Sequence, residues 1–454
     1  MTLLNWLPEI YLLILLFVTL IVMNFKLLSY RSLSLIIAGV SLVGLVYFIC
    51  RDDLAYFDSP LKTLLSDSLS HFGRMLALFA LAIFSMSYYF HRTLSFEAKQ
   101  NTNLFLVFYA FFAMGLFQSN SLVLFLGASL GIYLSATNLV LIESGRSQAW
   151  IATFRMRVLP ISVWSLTIAL LFLMGVYLFG SIYLSDWVIE FPRYAGSQSA
   201  LFIFSFLVLL ASMIPLGALR YVGNAPIGIS ILCFSLFLVQ SVFWLRLGVP
   251  FFSLSTLLTK SSAQILLSLL LGGFTLVYAW HTVRTRDHHR WFASALPTIV
   301  GLSLFLILLP GAQALPAFYC ITISLLLSFS LIAHAFLTDD YQQKALLVFS
   351  TVALMGLPPL ILGEQLYRVI HQVVLGGNLV AGILMIASWL GLTLGITRKI
   401  SKVLLVRCPV TMRRRIYTSE LFFAGFYLVC VIALTIFRVE FVALLNEHPV
   451  LNLW

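Results

Sequence analysis

The 454 residues are 61% hydrophobic and only 9% charged, with mean hydropathy +1.04, a balance that excludes a soluble globular protein. The net charge of +11 would suggest nucleic acid for a soluble chain. Here the basic residues fall between apolar runs, so topology and lipid headgroups account for them and no nucleic-acid partner is expected.

A membrane span needs about 20 apolar residues. By that rule about fourteen candidates follow one another, roughly 3–23, 32–50, 69–90, 103–118, 121–142, 157–184, 199–221, 228–247, 257–282, 291–309, 316–337, 344–362, 367–396 and 418–444. The expected fold is an all-α polytopic membrane protein, one transmembrane domain over 1–454. The longest polar stretches are 51–68 and 398–417. The chain enters its first apolar run almost at once, so no cleavable leader is expected. An aromatic content of 15%, with 39 Phe, suits lipid-facing surfaces. Cys50, Cys233, Cys320, Cys408 and Cys430 form no metal-ligand spacing and read as small apolar residues. No metal or cofactor is expected on this chain.

Two spans carry helix breakers in mid-run. The seventh holds Pro215, in Met213-Ile-Pro-Leu-Gly-Ala, and the twelfth holds Gly356, Pro358 and Pro359. Proline lacks an N–H and clashes with the preceding turn, so these helices are expected to break. Interrupted helices mark the working sites of many transporters, although a simple kink is the plain alternative. Spans 7 and 12 are each the fourth helix of a five-helix set. That spacing suggests two inverted repeats, over 101–250 and 251–400, after helices 1–3 in 1–100 and before helix 14 in 401–454. Nineteen of the 27 Lys and Arg residues lie in loops after odd-numbered spans, which puts those loops inside and both termini outside. The cluster Arg398–Arg415 reads as a topological anchor and a candidate contact for anionic lipid such as cardiolipin.

Four motifs resemble the antiporter-like subunits of respiratory complex I, most nearly subunit 2 of NADH dehydrogenase, the NuoN type. Leu7-Pro-Glu-Ile-Tyr11 resembles that subunit's LPE start. Ser119–Gly127 is similar to its fifth-helix entry. Gly272–Gly301, with His288-His-Arg-Trp-Phe-Ala-Ser294 at its middle, has the family's helix–"KRLLAYSS"–helix layout. Val348–Pro359 resembles "LLSLAGLPP", the most specific of the four. The span count, the two broken helices and the outward N-terminus agree with the family. The resemblance implies a membrane-arm subunit of a proton-pumping NADH:quinone oxidoreductase. Its partners would be the other membrane-arm subunits, and NADH, FMN, Fe–S clusters and quinone would sit in other chains.

Members of that family place Glu in helix 5 and Lys in helices 7, 8 and 12. The corresponding positions here are Ser129, Leu210, Leu238 and Leu366. A buried charge is costly and persists where it is paired, hydrated and used. Its loss at all four positions implies a proton pathway that is absent or rerouted. Substitute candidates are Glu364 and Arg368, which share a helix face at i and i+4, together with His334, Lys260 and Gln240. Plain readings are an interfacial ion pair for Glu364 and Arg368, a core histidine for His334 and a snorkelling lysine for Lys260. A second register puts Arg246 and Lys260 at the helix 7 and helix 8 basic positions, but its proline spacing and span count fail. A free-standing secondary transporter of an organic solute or lipid is the alternative function. The expected location is the mitochondrial inner membrane, with a bacterial plasma membrane as the alternative.

Overall fold

The computed structural model describes residues 7–24, 29–49, 64, 67–89, 96–144, 180–186, 225–248, 262–285, 288–309, 311–336 and 361–405, with isolated positions in 165–177 and 425–436. The described residues are helical almost throughout, with isolated β-bridges and no strand among them. Lipid offers the backbone no hydrogen-bond partner, so each apolar run satisfies its own N–H and C=O groups as a helix. Eight helices among the described residues are long and apolar enough to cross a membrane, and the helices over 10–22 and 32–47 are shorter and equally apolar. The chain is therefore a polytopic all-α membrane protein.

Two compact units share the chain. The first comprises Met1–Tyr194, Val222–Ser235 and Val450–Trp454. It holds α1 (Leu7–Asn24), α2 (Tyr30–Ile49), α3 (Ser68–Tyr89), α4 (Phe96–Gln118), α5 (Leu122–Ser144) and the first part of α6 (Pro226–Phe243). Asp67 starts α3 as its N-cap, its carboxylate accepting the Ser70 N–H at 2.8 Å. Consecutive helices run antiparallel. Tyr11 of α1 bonds the Val40 carbonyl of α2, and Phe72 and Phe84 of α3 meet Phe117 and Tyr109 of α4 edge-on at 6.2 and 6.0 Å.

Alternation across the membrane is visible at the two ends of this unit. Leu64 bridges Ser119 and Ser121 bridges Tyr183, so stretches that follow spans 2, 4 and 6 meet. Asn120 ties them, accepting the Ser185 N–H at 3.0 Å and donating to the Ser185 hydroxyl at 3.1 Å. At the opposite end the last turns of α3 and α5 meet the first turn of α6, which follows span 7.

The second unit comprises Ala195–Tyr221 and Leu236–Pro449. It takes the rest of α6, whose last turn is a π-turn at Trp244–Gly248, and α7 (Ser262–Arg284). Next come α8 (His288–Leu304), ending in a 3₁₀ turn at Phe305–Leu308, α9 (Gly311–Phe336), α10 (Ile361–Leu375) and α11 (Leu379–Leu405). Helices α7 and α11 pack in parallel. Asn378 donates to the Ser268 hydroxyl at 2.8 Å near their starts, and Arg398 donates to the Val283 carbonyl at 2.8 Å near their ends. Between them Gly391 faces Ala279 and Gly395 faces Thr282, a small-xxx-small seam that lets two backbones approach.

Two expectations are corrected. The apolar run 367–396, read as one span, is parted between α10 and α11. Gly377 has φ +86°, a left-handed conformation that glycine adopts without strain. The Asn378 N–H bonds the Val373 carbonyl and the Gly377 N–H bonds the Val374 carbonyl, closing α10 as a Schellman motif. Asn378 then caps α11 by accepting the Ala381 N–H at 3.1 Å. The second correction concerns the polar stretch 398–417. Helix α11 runs on to Leu405, because Arg398 is held on α7 and Lys399 is buried. Helix α8 carries Pro297 in its interior without a break, in keeping with the single span read over 291–309. Leu210, Pro215, Lys260, Gly356, Pro358 and Pro359 lie outside the described residues.

Candidate functional site

The positions where the resemblance places charges are apolar or self-satisfied wherever they are described. Ser129, deep in α5, donates its hydroxyl to the Phe125 carbonyl at 2.7 Å. Leu238 of α6 and Leu366 of α10 are buried side chains. Other buried hydroxyls behave as Ser129 does: Thr275 and Thr322 each bond the carbonyl four residues back at 2.6 Å. Such back-bonding satisfies the hydroxyl within its own helix and leaves little to offer a neighbour.

The proposed substitutes do not assemble into one row among the described residues. Gln240 is buried in α6, and its amide nitrogen finds no hydrogen-bond acceptor there. His334 belongs to α9, in its last turn. Glu364 and Arg368 form the expected i, i+4 pair on α10 at 3.0 Å, with side chains 18% and 55% exposed. Tyr367 and His371 stack on the same outward side with ring centroids 6.2 Å apart. The opposite side of α10 buries Leu362, Leu366, Val369 and Val373. Helix α10 begins just past Pro359, and its 15 residues span about 22 Å, short of a hydrocarbon core of about 30 Å.

Three charged side chains are buried among the described residues, and sequence reasoning passed over two of them. Glu143, one residue before the end of α5, is 9% exposed. Its carboxylate accepts the Ile227 N–H at 3.1 Å, the Gly228 N–H at 2.6 Å and the Tyr88 hydroxyl at 3.4 Å. A legible signal existed: α6 begins Ala225-Pro226, where Ala offers no side-chain cap for the N–H groups at the next two positions. Gly228 permits the approach, since a β-carbon there would lie 2.6 Å from the Val140 α-carbon. Lys399 is 5% exposed, with its ammonium 6.0 Å from the Trp291 ring centroid, a cation–π contact between α11 and α8. Arg246, 7% exposed, sits in the π-turn that ends α6. All three lie toward helix ends rather than mid-helix, and Glu143 and Lys399 there join helices.

No protein-family model matches the sequence, and no curated protein is significantly similar to it. Solved structures do share its fold. A chain of respiratory complex I from Thermus thermophilus with bound NADH superposes with TM-score 0.71 at 15% identity, covering 98% of this chain and 97% of that one. A chain of the same complex with bound aureothin gives 0.68 at 15%, covering 96% and 98%. A chain of an archaeal respiratory membrane complex, the membrane-bound sulfane sulfur reductase, gives 0.75 at 14%, covering 94% of this chain and 75% of that one. The fold defined by the helices is thus one found in membrane-bound respiratory complexes.

Proposed function

We propose that this chain is an antiporter-like membrane-arm subunit of a proton-translocating NADH:quinone oxidoreductase, of subunit 2 type. It packs between neighbouring membrane subunits and moves few or no protons through a central row of lysines. Redox chemistry, NADH and quinone belong to other subunits. The mitochondrial inner membrane is the proposed location. The observation that carries the reading is the fold held in common with chains of respiratory complexes over nearly the whole length, at TM-scores of 0.68 to 0.75.

Two features support the assembled state and the quiet interior. The outward face of α10 presents Glu364, Tyr367, Arg368 and His371, whereas exposed positions of α1, α2, α7 and α11 are chiefly apolar. Ionisable side chains in membrane segments face protein or water rather than lipid, so a neighbouring subunit suits this face. Ser129, Leu238 and Leu366 have no group that gains or releases a proton near neutral pH. Solubilisation in mild detergent followed by native electrophoresis tests the membership. The chain is expected to migrate with NADH dehydrogenase activity. Migration as a small monomer away from that activity contradicts the proposal and favours a free-standing transporter.

A further inference from the structure

We propose that the shared end of α7, α8 and α11 is a binding site for an anionic phospholipid. Helices α7 and α11 lie side by side, and α8 covers one side of the pair through Gly301 against Thr275 and Trp291 against Lys399. Their other side is an open apolar ridge, with Leu269, Leu276 and Val277 on α7 and Ile383, Leu390 and Leu394 on α11 all exposed. That ridge suits acyl chains. It ends in Trp280, 58% exposed, and in the guanidinium of Arg284 5.7 Å from the Trp280 ring centroid. Tryptophan followed by arginine is the side-chain order of a membrane–water interface.

Charge concentrates at this end. The Arg398 guanidinium donates to the carbonyl of Val283, the residue before Arg284, and both arginines are exposed. Arg290 is exposed in the first turn of α8, next to Trp291, over which buried Lys399 sits. The C-terminus of α7 attracts cations, which accounts for Arg284 in its last turn and for the reach of Arg398 to the Val283 carbonyl. Two exposed arginines are thus tied to the same end of α7, one over Trp280 and one on the Val283 carbonyl, and neither has a carboxylate partner among the described residues. Asp287, in the α7–α8 connection, lies outside them. A phosphodiester at the foot of the ridge meets both requirements: its oxygens accept from the arginines, and its chains cover the leucines. A phosphocholine headgroup carries its own cation and gains less. The site requires a membrane-spanning fold and no membership of any complex.

The test is native mass spectrometry of the full chain, in whatever assembly mild detergent preserves, exchanged into phosphatidylglycerol or phosphatidylcholine nanodiscs. Retention of phosphatidylglycerol over phosphatidylcholine is expected. Arg284→Gln with Arg398→Gln should weaken retention about thirtyfold, at about tenfold for each 1.4 kcal/mol and near 1 kcal/mol for each basic residue removed. Arg284→Gln alone keeps the Arg398–Val283 bond and should give a smaller loss with an unchanged melting point. Millimolar inorganic phosphate should not displace the lipid. Equal retention of the two lipids, equal retention by wild type and Arg284→Gln, or displacement by phosphate would each overturn the proposal. So would occupation of the ridge by a protein subunit whose binding needs the same arginines.

Discussion

At the residue scale, Glu143 is a side chain that holds three helices of the first unit together. Its carboxylate supplies the cap that Ala225 lacks, and it ties α5 to α6 and to Tyr88 of α3. An unmet buried N–H costs about 1–3 kcal/mol. Glu143→Ala is therefore expected to lower the thermal unfolding midpoint in detergent markedly. Glu143→Gln should lower it less, because its carbonyl oxygen still accepts one of the two N–H groups. Equal midpoints for Ala and wild type would contradict the clamp. Ser129 provides the contrast. Its hydroxyl serves only the Phe125 carbonyl among the described residues, so Ser129→Ala is expected to change neither the midpoint nor the coupled proton flux of the assembly. The sequence hid Glu143 because a carboxylate closing an apolar run looks like a solvated helix end. Only the fold brings the distant α6 N-terminus to it. Lys399 was hidden in the same way, within a run of cations that read as a polar loop.

At the element scale, the α7–α11 seam depends on missing side chains. A β-carbon at Gly395 would lie 2.7 Å from the Thr282 γ-methyl and 3.0 Å from its carbonyl carbon. The carbonyl is backbone and cannot rotate away, so the helices must part. Gly395→Val is expected to cost about 1–3 kcal/mol or more, read as a lower unfolding midpoint, while substitution at Gly273, which faces open space, should be nearly neutral. Glycine matters at Gly377 for a different reason. At φ +86° an alanine is strained and an asparagine less so, so Gly377→Ala should destabilise more than Gly377→Asn. The apolar runs themselves were plain in the sequence, since length and hydropathy alone mark them. The α10–α11 break was not. Its Gly-Gly-Asn punctuation sits inside a long run of apolar residues, and hydropathy averaged over a window erases it. Pro297 shows that a proline inside α8 leaves the helix intact, so proline by itself locates a break poorly.

At the scale of the whole molecule, parity was the most legible property. The distribution of Lys and Arg requires loops of like parity to share a side. The bridges Leu64–Ser119 and Ser121–Tyr183 join one set, and Glu143 with Ile227 joins the other. The parallel course of α7 and α11 follows the same count, because spans 9 and 13 differ by an even number. Less legible was the placing of charge. The sequence displays uncharged residues where the resemblance expects charge, but a row of protonatable groups is a three-dimensional property. Among the described residues, the buried charges sit toward helix ends, and Glu143 and Lys399 act as clamps.

The central claim is that the middle of this chain carries no proton row. A high-resolution structure of the intact assembly with its ordered waters measures that most directly. The account predicts water reaching inward only as far as the helix ends near Glu143, Arg246 and Lys399, with no ordered water beside Ser129 in the first unit or beside Leu238 in the second. An unbroken file of waters past either residue, meeting an ionisable side chain of this chain, would contradict it.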